Sequence, residues 1–291
     1  MKQITEYAYA KLNISLDVLA KREDGYHDMC MVMESVKLCD DVVISVCEGT
    51  GHVSVKTDKA YLPNDSRNIA WKAADLFLKE KGLAGYDVSI SIQKRVPVCV
   101  GMAGGSSDGA AVLRGLNTLF KTGCTAKELR DMGSQLGSDI PYCIEGGTAL
   151  AEGRGEILSP LKALPRCYVT ICKPEFSVST PELFKKLDSV KVRLHPDTDG
   201  ILKALEAGDL KGVCHRMYNV FESAGLSGYG EIQAIKDKLY DCGALGAVMT
   251  GTGSAVYGIF DTERNAKNAY EALKRSYREC FLTELCDRIH I

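Results

Sequence analysis

The stretch Pro97-Val98-Cys99-Val100-Gly101-Met102-Ala103-Gly104-Gly105-Ser106-Ser107 is the part of this chain whose residue types most directly suggest chemistry. Glycines without a Cβ let a backbone approach an anion closely and take positive φ, so that successive amide N–H groups converge on phosphate oxygens. Beyond the stretch, Val112, Leu116, Leu119 and Phe120 recur at helical spacing, which predicts an amphipathic helix from about Ser107 to Phe120. The glycine cluster therefore ends at a helix N-terminus, whose partial positive charge also favours an anion. Ser106 and Ser107 are placed either to cap that helix or to donate hydroxyls to a phosphate or a bound Mg²⁺. The pattern is neither GxxxxGK[ST] nor Gly-x-Gly-x-x-Gly, so it is not a Walker A loop or the usual dinucleotide fingerprint. A tight strand-to-helix turn needs one or two glycines. Three glycines, an alanine and two serines exceed that need and favour anion binding, with the identity of the anion open.

A second candidate, Gly251-Thr252-Gly253-Ser254, stands between two predicted strands and reads either as a hairpin turn or as a second anion loop. The cysteines are less suggestive. All 12 are scattered, without a Cys-x-x-Cys pair, and Cys99, Cys167 and Cys172 are expected inside apolar strands, where a thiol acts as a small hydrophobe. Reduced core cysteines are expected, because nothing at the N-terminus points to an oxidising compartment. The 5 histidines show no HxH or HxxxH spacing, and no protein-held metal site is expected.

The elements that must hold these residues follow from periodicity. Val42–Val46 and His52–Lys56 alternate as half-buried strands, Ile69–Lys81 reads as a helix, and Tyr86–Ile92 is a further strand ended before Pro97. Past Pro160 come a strand at Cys167–Cys172 and a cap at Ser179-Thr180-Pro181-Glu182. Polar helical stretches continue to about residue 240. The end of the chain reads as strands Gly246–Met249 and Ala255–Phe260, a helix Thr262–Arg278 and a strand Phe281–Leu285. Together this is the split β-α-β-β-α-β order of a ferredoxin-like unit. The fold class is α+β in two domains, 1–160 and 161–291.

With 291 residues and 45% apolar content the chain can bury a large core. A net charge of −2 supplies no basic field for a nucleic-acid backbone or an anionic membrane. No run approaches the roughly 20 apolar residues of a membrane span, and Met1-Lys2-Gln3-Ile4-Thr5-Glu6 opens no long apolar stretch. A cytoplasmic protein, monomer or homodimer, with no nucleic-acid or membrane partner, is expected.

Three separated motifs resemble the GHMP kinase family: Ala10-Lys11-Leu12-Asn13 on the opening strand, the Pro97–Ser107 loop, and Met249-Thr250-Gly251-Thr252-Gly253-Ser254. Asp24-Gly25-Tyr26-His27, Leu136-Gly137-Ser138-Asp139-Ile140-Pro141 and Gly147–Glu156 bring the likeness to the branch whose acceptor is a cytidylated methylerythritol, on a route to isoprenoid precursors. The resemblance implies an N-terminal domain like the second domain of ribosomal protein S5, a ferredoxin-like C-terminal domain, and a site in the cleft between them. It implies ATP and Mg²⁺ as cofactors. It also implies that Asp139 accepts the proton of the attacking hydroxyl while Lys11 keeps that carboxylate ionised and neutralises charge on the transferring phosphoryl group.

Tyr26 and Phe184 match the aromatic faces for a pyrimidine, with His27 at its edge. Asn13 and Thr180 match polar contacts to the acceptor, and Asn68 and Lys94 match positions near the nucleotide. Tyr9 and Gly109 depart from the usual pattern, Gly109 standing where a helix-favouring alanine is common. Competing readings are another kinase of the family, such as a homoserine or mevalonate kinase, and a catalytically silent nucleotide-binding protein.

Overall fold

The computed structural model describes residues 1–224 and 228–291, and the part of the expected polar helical stretch at 225–227 lies outside them. The chain opens on a long antiparallel hairpin, β1 (Lys2–Lys21) and β2 (His27–Glu48). The alternating run at 42–46 predicted only the far end of β2. Every residue of β1 from Ala10 to Val18 is buried, because β2 and β8 (Tyr218–Asn219) flank the strand inside the sheet. A strand covered on both faces loses its period-2 signature.

Also in the first half are β3 (Val53–Thr57), α1 (Ile69–Glu80), β4 (Tyr86–Gln93), α2 (Gly104–Phe120), α3 (Ala126–Ser134), α4 (Ile140–Glu145), β5 (Ala149–Gly153) and β6 (Ile157–Pro160). Among the described residues these strands make one seven-stranded sheet with the path β3-β4-β2-β1-β8, and β5 and β6 extend it from β2. The second half adds β7 (Tyr168–Lys173), α5 (Thr180–Ser189), α6 (Thr198–Ala207), α7 (Leu210–Cys214), α8 (Tyr229–Asp241), β9 (Gly246–Met249), β10 (Val256–Phe260), α9 (Glu263–Lys274) and β11 (Glu279–Glu284). Its four strands pair antiparallel in the order β11-β7-β10-β9, the ferredoxin-like arrangement. The two halves are interleaved: β8 returns to pair with β1, and Leu285 bridges to Val36 of β2. No helix among the described residues is long and apolar enough to cross a membrane.

Four local expectations need correction. The helix expected from Ser107 begins at Gly104, so Gly109 lies in its second turn; a Cβ there would meet Ile69 Cγ2 of α1 at 2.7 Å, which explains the glycine. Helix α9 ends at Lys274, short of Arg278. The expected cap at Ser179 makes no side-chain bond to α5. Cys99, expected in a strand, is exposed in the glycine-rich turn at φ 59°, whereas Cys172 lies in β7 and Cys167 is buried just before it.

Candidate active site

Two β-bulges, at Tyr9/Ala10 and Asn13/Ser15, bracket Ala10–Asn13 and set where its side chains point. Ala10 and Leu12 enter one apolar cluster. Lys11 and Asn13 project the other way, toward the two glycine turns. Asn13, expected to touch the acceptor, is wholly buried. Its Oδ1 accepts from Lys11 Nζ at 2.7 Å and from the Gly251 amide at 3.0 Å, and its own amide donates to Thr250 Oγ1 at 3.1 Å. The residue is a brace between β1 and the second glycine turn.

The two turns pack backbone to backbone. Gly101 has φ 79° and an added Cβ would strike Thr250 O at 2.2 Å, while one on Gly251 would meet Gly101 Cα at 2.6 Å. Behind Gly101, the Lys11 amide donates to Met102 O at 3.2 Å, which ties the turn to β1. Helix α2 then starts from Ala103 at φ 57° with no side-chain cap. The expected capping role of Ser107 does not occur, since its hydroxyl donates to Tyr9 O at 2.6 Å. An uncapped start leaves first-turn N–H groups for an incoming acceptor. The second turn differs: the Gly251 carbonyl accepts from Asn219 Nδ2 at 2.8 Å, and the Gly253 amide donates to Thr250 O at 3.0 Å.

Both turns border a cavity of about 650 Å³ that Lys11, Asp139, Gly101, Ser106, Gly251, Thr252, Tyr26, His27, Thr180 and Phe184 line. Asp139 stands just before α4, where Pro141 follows, and makes no cap bond. Its carboxylate is thus half-buried and uncommitted to the helix. Among the described residues no ion pair joins it to Lys11, whose ammonium bonds Asn13. Burial pushes the neighbouring Cys143 thiol up to about 12, with the Asp139 charge adding and the Lys11 charge opposing. That thiol stays protonated and packs against the Ser107 hydroxyl, sulfur and oxygen 3.3 Å apart.

At the other end of the cavity, His27 stacks on Phe184 with ring centroids 4.7 Å apart, and Phe184 and Phe221 meet edge to face at 5.0 Å. His27 Nε2 lies 2.7 Å from Asp188 Oδ1, and Lys21 Nζ lies 2.7 Å from the other oxygen. Lys21 first and His27 second hold the Asp188 carboxyl below its usual range. Tyr26 is 55% exposed and carries the Arg154 guanidinium 5.1 Å over its ring. The aromatic pair expected from the resemblance is therefore present around one cavity, but the face of Phe184 is occupied by His27. Thr180 Oγ1 contacts Thr252 Oγ1 at 2.9 Å and joins α5 to the second turn. Lys21, Arg154, Lys185 and Asp188 also line the cavity and were not picked out from sequence. Charges in polar stretches look like solvated surface until folding gathers them at the rim of a cavity.

Pro97, Val98, Cys99, Gly104 and Gly105 face a smaller cavity of about 230 Å³, shared with Asn68 and Lys94. Asn68 caps α1 by accepting from the Ala70 amide at 2.9 Å and donates to Pro63 O at 2.9 Å. Lys94 is buried between Asp40 at 2.5 Å and Asp108 at 2.7 Å. Burial works against the Lys94 cation, but the two carboxylates outweigh it and raise its pKa. Burial also drives the Asp108 carboxyl above the usual range, against Lys94. This lysine holds the base of the turn together, because its charge is neutralised by protein carboxylates. Its partners carry no sequence signal of their own.

The family profile described as GHMP kinases N terminal domain matches residues 68–147, and the one described as GHMP kinases C terminal matches 201–279. The 4-diphosphocytidyl-2-C-methyl-D-erythritol kinase of Acetivibrio thermocellus is 42% identical over 98% of this chain and 99% of its own length. The protein of that name from Geobacillus thermodenitrificans is 41% identical over 97% of each. A crystal structure of 4-(cytidine 5'-diphospho)-2C-methyl-D-erythritol kinase superposes with a TM-score of 0.80 at 30% identity, covering 97% of this chain and 99% of that one. Homoserine kinase from Cytophaga hutchinsonii shares the fold, with a TM-score of 0.77 at 17% identity over 100% and 96% of the two chains. With both family profiles matched in order and relatives aligned along nearly the whole length, the chain belongs to the GHMP kinase family.

Proposed function

We propose that the chain transfers the γ-phosphoryl group of ATP to the 2-hydroxyl of 4-diphosphocytidyl-2-C-methyl-D-erythritol, a step toward isoprenoid precursors. The observation that carries this reading is the meeting of Lys11, Asp139, Ser106 and the glycine turn at one cavity, beside the uncapped start of α2. The first-turn amides of α2 hold the terminal phosphates. Asp139 takes the proton of the attacking hydroxyl, and Lys11 lowers the charge on the transferring group. The relatives that align along nearly the whole chain carry the name of this activity, which favours it over homoserine or mevalonate phosphorylation.

Mg²⁺ would be held together with the nucleotide. Among the described residues no group of three or more His, Cys, Asp or Glu side chains forms a cage for an ion. The donors fit a cation carried chiefly by phosphate oxygens, and the Ser106 hydroxyl beside the glycine turn is the side chain that would hold it. When bound, the ion offsets charge developing on the phosphoryl oxygens. Tyr26 and Phe184 supply the base-stacking surface, and Lys21, Arg154 and Lys185 supply positive charge for the diphosphate bridge. For the base to use the face of Phe184, His27 must leave its present stack and offer its edge instead.

A coupled assay with ATP, Mg²⁺ and a panel of alcohols tests the assignment. Preference for homoserine or mevalonate over the cytidylated acceptor overturns it. Asp139→Asn is expected to keep ATP affinity and lower turnover by about a hundredfold or more; near-normal turnover removes Asp139 from the role of base. Tyr26→Ala is expected to raise KM for the cytidylated acceptor and leave KM for ATP nearly unchanged, and equal weakening of both would place the base elsewhere.

A further inference from the structure

Outside the lining of the large cavity, Cys280 of β11 stands directly opposite Cys172 of β7 in an antiparallel ladder. Directly opposed residues have Cα atoms roughly 4.5–5.5 Å apart, inside the roughly 4.4–6.8 Å that a disulfide spans. Their side chains emerge on the same face, and the two sulfurs lie 3.5 Å apart. Closing to a bond needs side-chain rotation and no travel of the backbone.

The two thiols are not equivalent. Strand β11 is the edge of its sheet, and Cys280 lines a groove of about 630 Å³ together with Leu38, Tyr270 and Phe281. Cys280 is 8% exposed, whereas Cys172 behind it is 0% exposed. Contact with Cys172, and then the Lys274 cation, hold the Cys280 thiol below its usual range against burial. Contact with Cys280 and burial push the Cys172 thiol up. A sulfur that lines an edge groove, directly opposite a fully enclosed one, is placed as an attacking cysteine beside a resolving one.

We propose that Cys172 and Cys280 form an oxidisable dithiol that takes hydrogen peroxide as its oxidant and closes to a cross-strand disulfide between β7 and β11. The Cys280 thiolate attacks one peroxide oxygen, the O–O bond breaks, and hydroxide leaves to take up a proton as water. Cys280 is then a sulfenic acid. The Cys172 sulfur attacks the Cys280 sulfur, the S–S bond forms as the S–O bond breaks, and hydroxide leaves with the Cys172 proton as a second water. Two thiols are oxidised by two electrons, one peroxide is reduced to two waters, and a dithiol reductant reverses the change.

The test is peroxide treatment of the native protein, alkylation of the remaining thiols, and mass mapping without reduction. Fragmentation must separate Cys172 from Cys167, and Cys280 from Cys286, because each pair shares a tryptic peptide. A Cys172–Cys280 linkage is expected, lost on treatment with dithiothreitol. In Cys172→Ser the linkage is expected to vanish and Cys280 to be trapped by dimedone as its sulfenic acid. In Cys280→Ser the linkage is expected to vanish with Cys172 still alkylatable after denaturation. Full oxidation of the exposed Cys47 and Cys99 with Cys280 untouched overturns the proposal, as does linkage of Cys280 to Cys39 in place of Cys172. Should a serine variant fail to fold, the wild-type map decides alone.

Discussion

The turns at 97–107 and 250–254 are both glycine-rich and touch each other, yet they put glycine to different uses. In the second turn the Gly251 amide goes to Asn13, its carbonyl to Asn219 and the Gly253 amide to Thr250. Its glycines permit close backbone contact and their amides are already taken. In the first turn Gly101 supplies the matching close contact, and Gly104 and Gly105 then open α2 with no side-chain cap. A glycine in a sequence says that a Cβ is excluded; whether the amide beside it is free depends on what folds against it.

The hardest blow to this contrast is Gly101→Ala, which places a Cβ 2.2 Å from Thr250 O at φ 79°. Overpacking and positive-φ strain each cost about 1–3 kcal/mol, so a loss of roughly 3 kcal/mol or more is expected in denaturant unfolding. A wild-type midpoint would mean that the turns do not press on each other. Asn13→Ala is expected to be milder. It strips the Gly251 amide of its buried acceptor, a loss of about 1–3 kcal/mol, and an unchanged melting temperature would show that the second turn needs no brace.

The smallest change in stability sharpens the comparison most. A Cβ on Gly105 meets only Ile69 Cδ1 at an ordinary 3.6 Å. Gly105→Ala is therefore expected to fold as well as the parent or better, since alanine favours a helix by about 1 kcal/mol over glycine. If phosphates lie against that backbone, KM for ATP should still rise by about tenfold, worth roughly 1.4 kcal/mol. Unaltered KM would move the triphosphate away from the start of α2.

Legibility followed the range of the signal. Helix α1 and strand β4 sit within a residue or so of where periodicity put them, because an amphipathic helix and a one-sided strand carry their burial pattern in consecutive residues. Periodicity gave no sign of β1, whose Ala10–Asn13 segment was placed on a strand only through the family motif, because both of its faces are covered from Ala10 to Val18. The start of α2 was misplaced by three residues: glycines lower helix propensity, and here the turn around Ala103 and packing against β1 override it. At the site, the glycine-rich turn was readable from composition alone. Asp40 and Asp108 around Lys94 were not, since nothing near them in sequence marks a buried pair. Asn13 was visible only as part of a motif, and its burial as a brace was not.

By itself the sequence determined the split β-α-β-β-α-β order of the four-stranded unit, though not β8 within its helical stretch, the glycine-rich turn before an amphipathic helix, and the absence of any apolar run long enough to span a membrane. Those properties are local, set by side-chain period and by which residues lack a Cβ. Tertiary structure alone decided that Lys11 and Asp139 border one cavity, that one turn keeps its amides while the other commits them to Asn13 and Thr250, and that Cys172 faces Cys280. Each depends on strand register and on backbone segments far apart in the chain packing to within a few ångströms, which no short window of residues encodes.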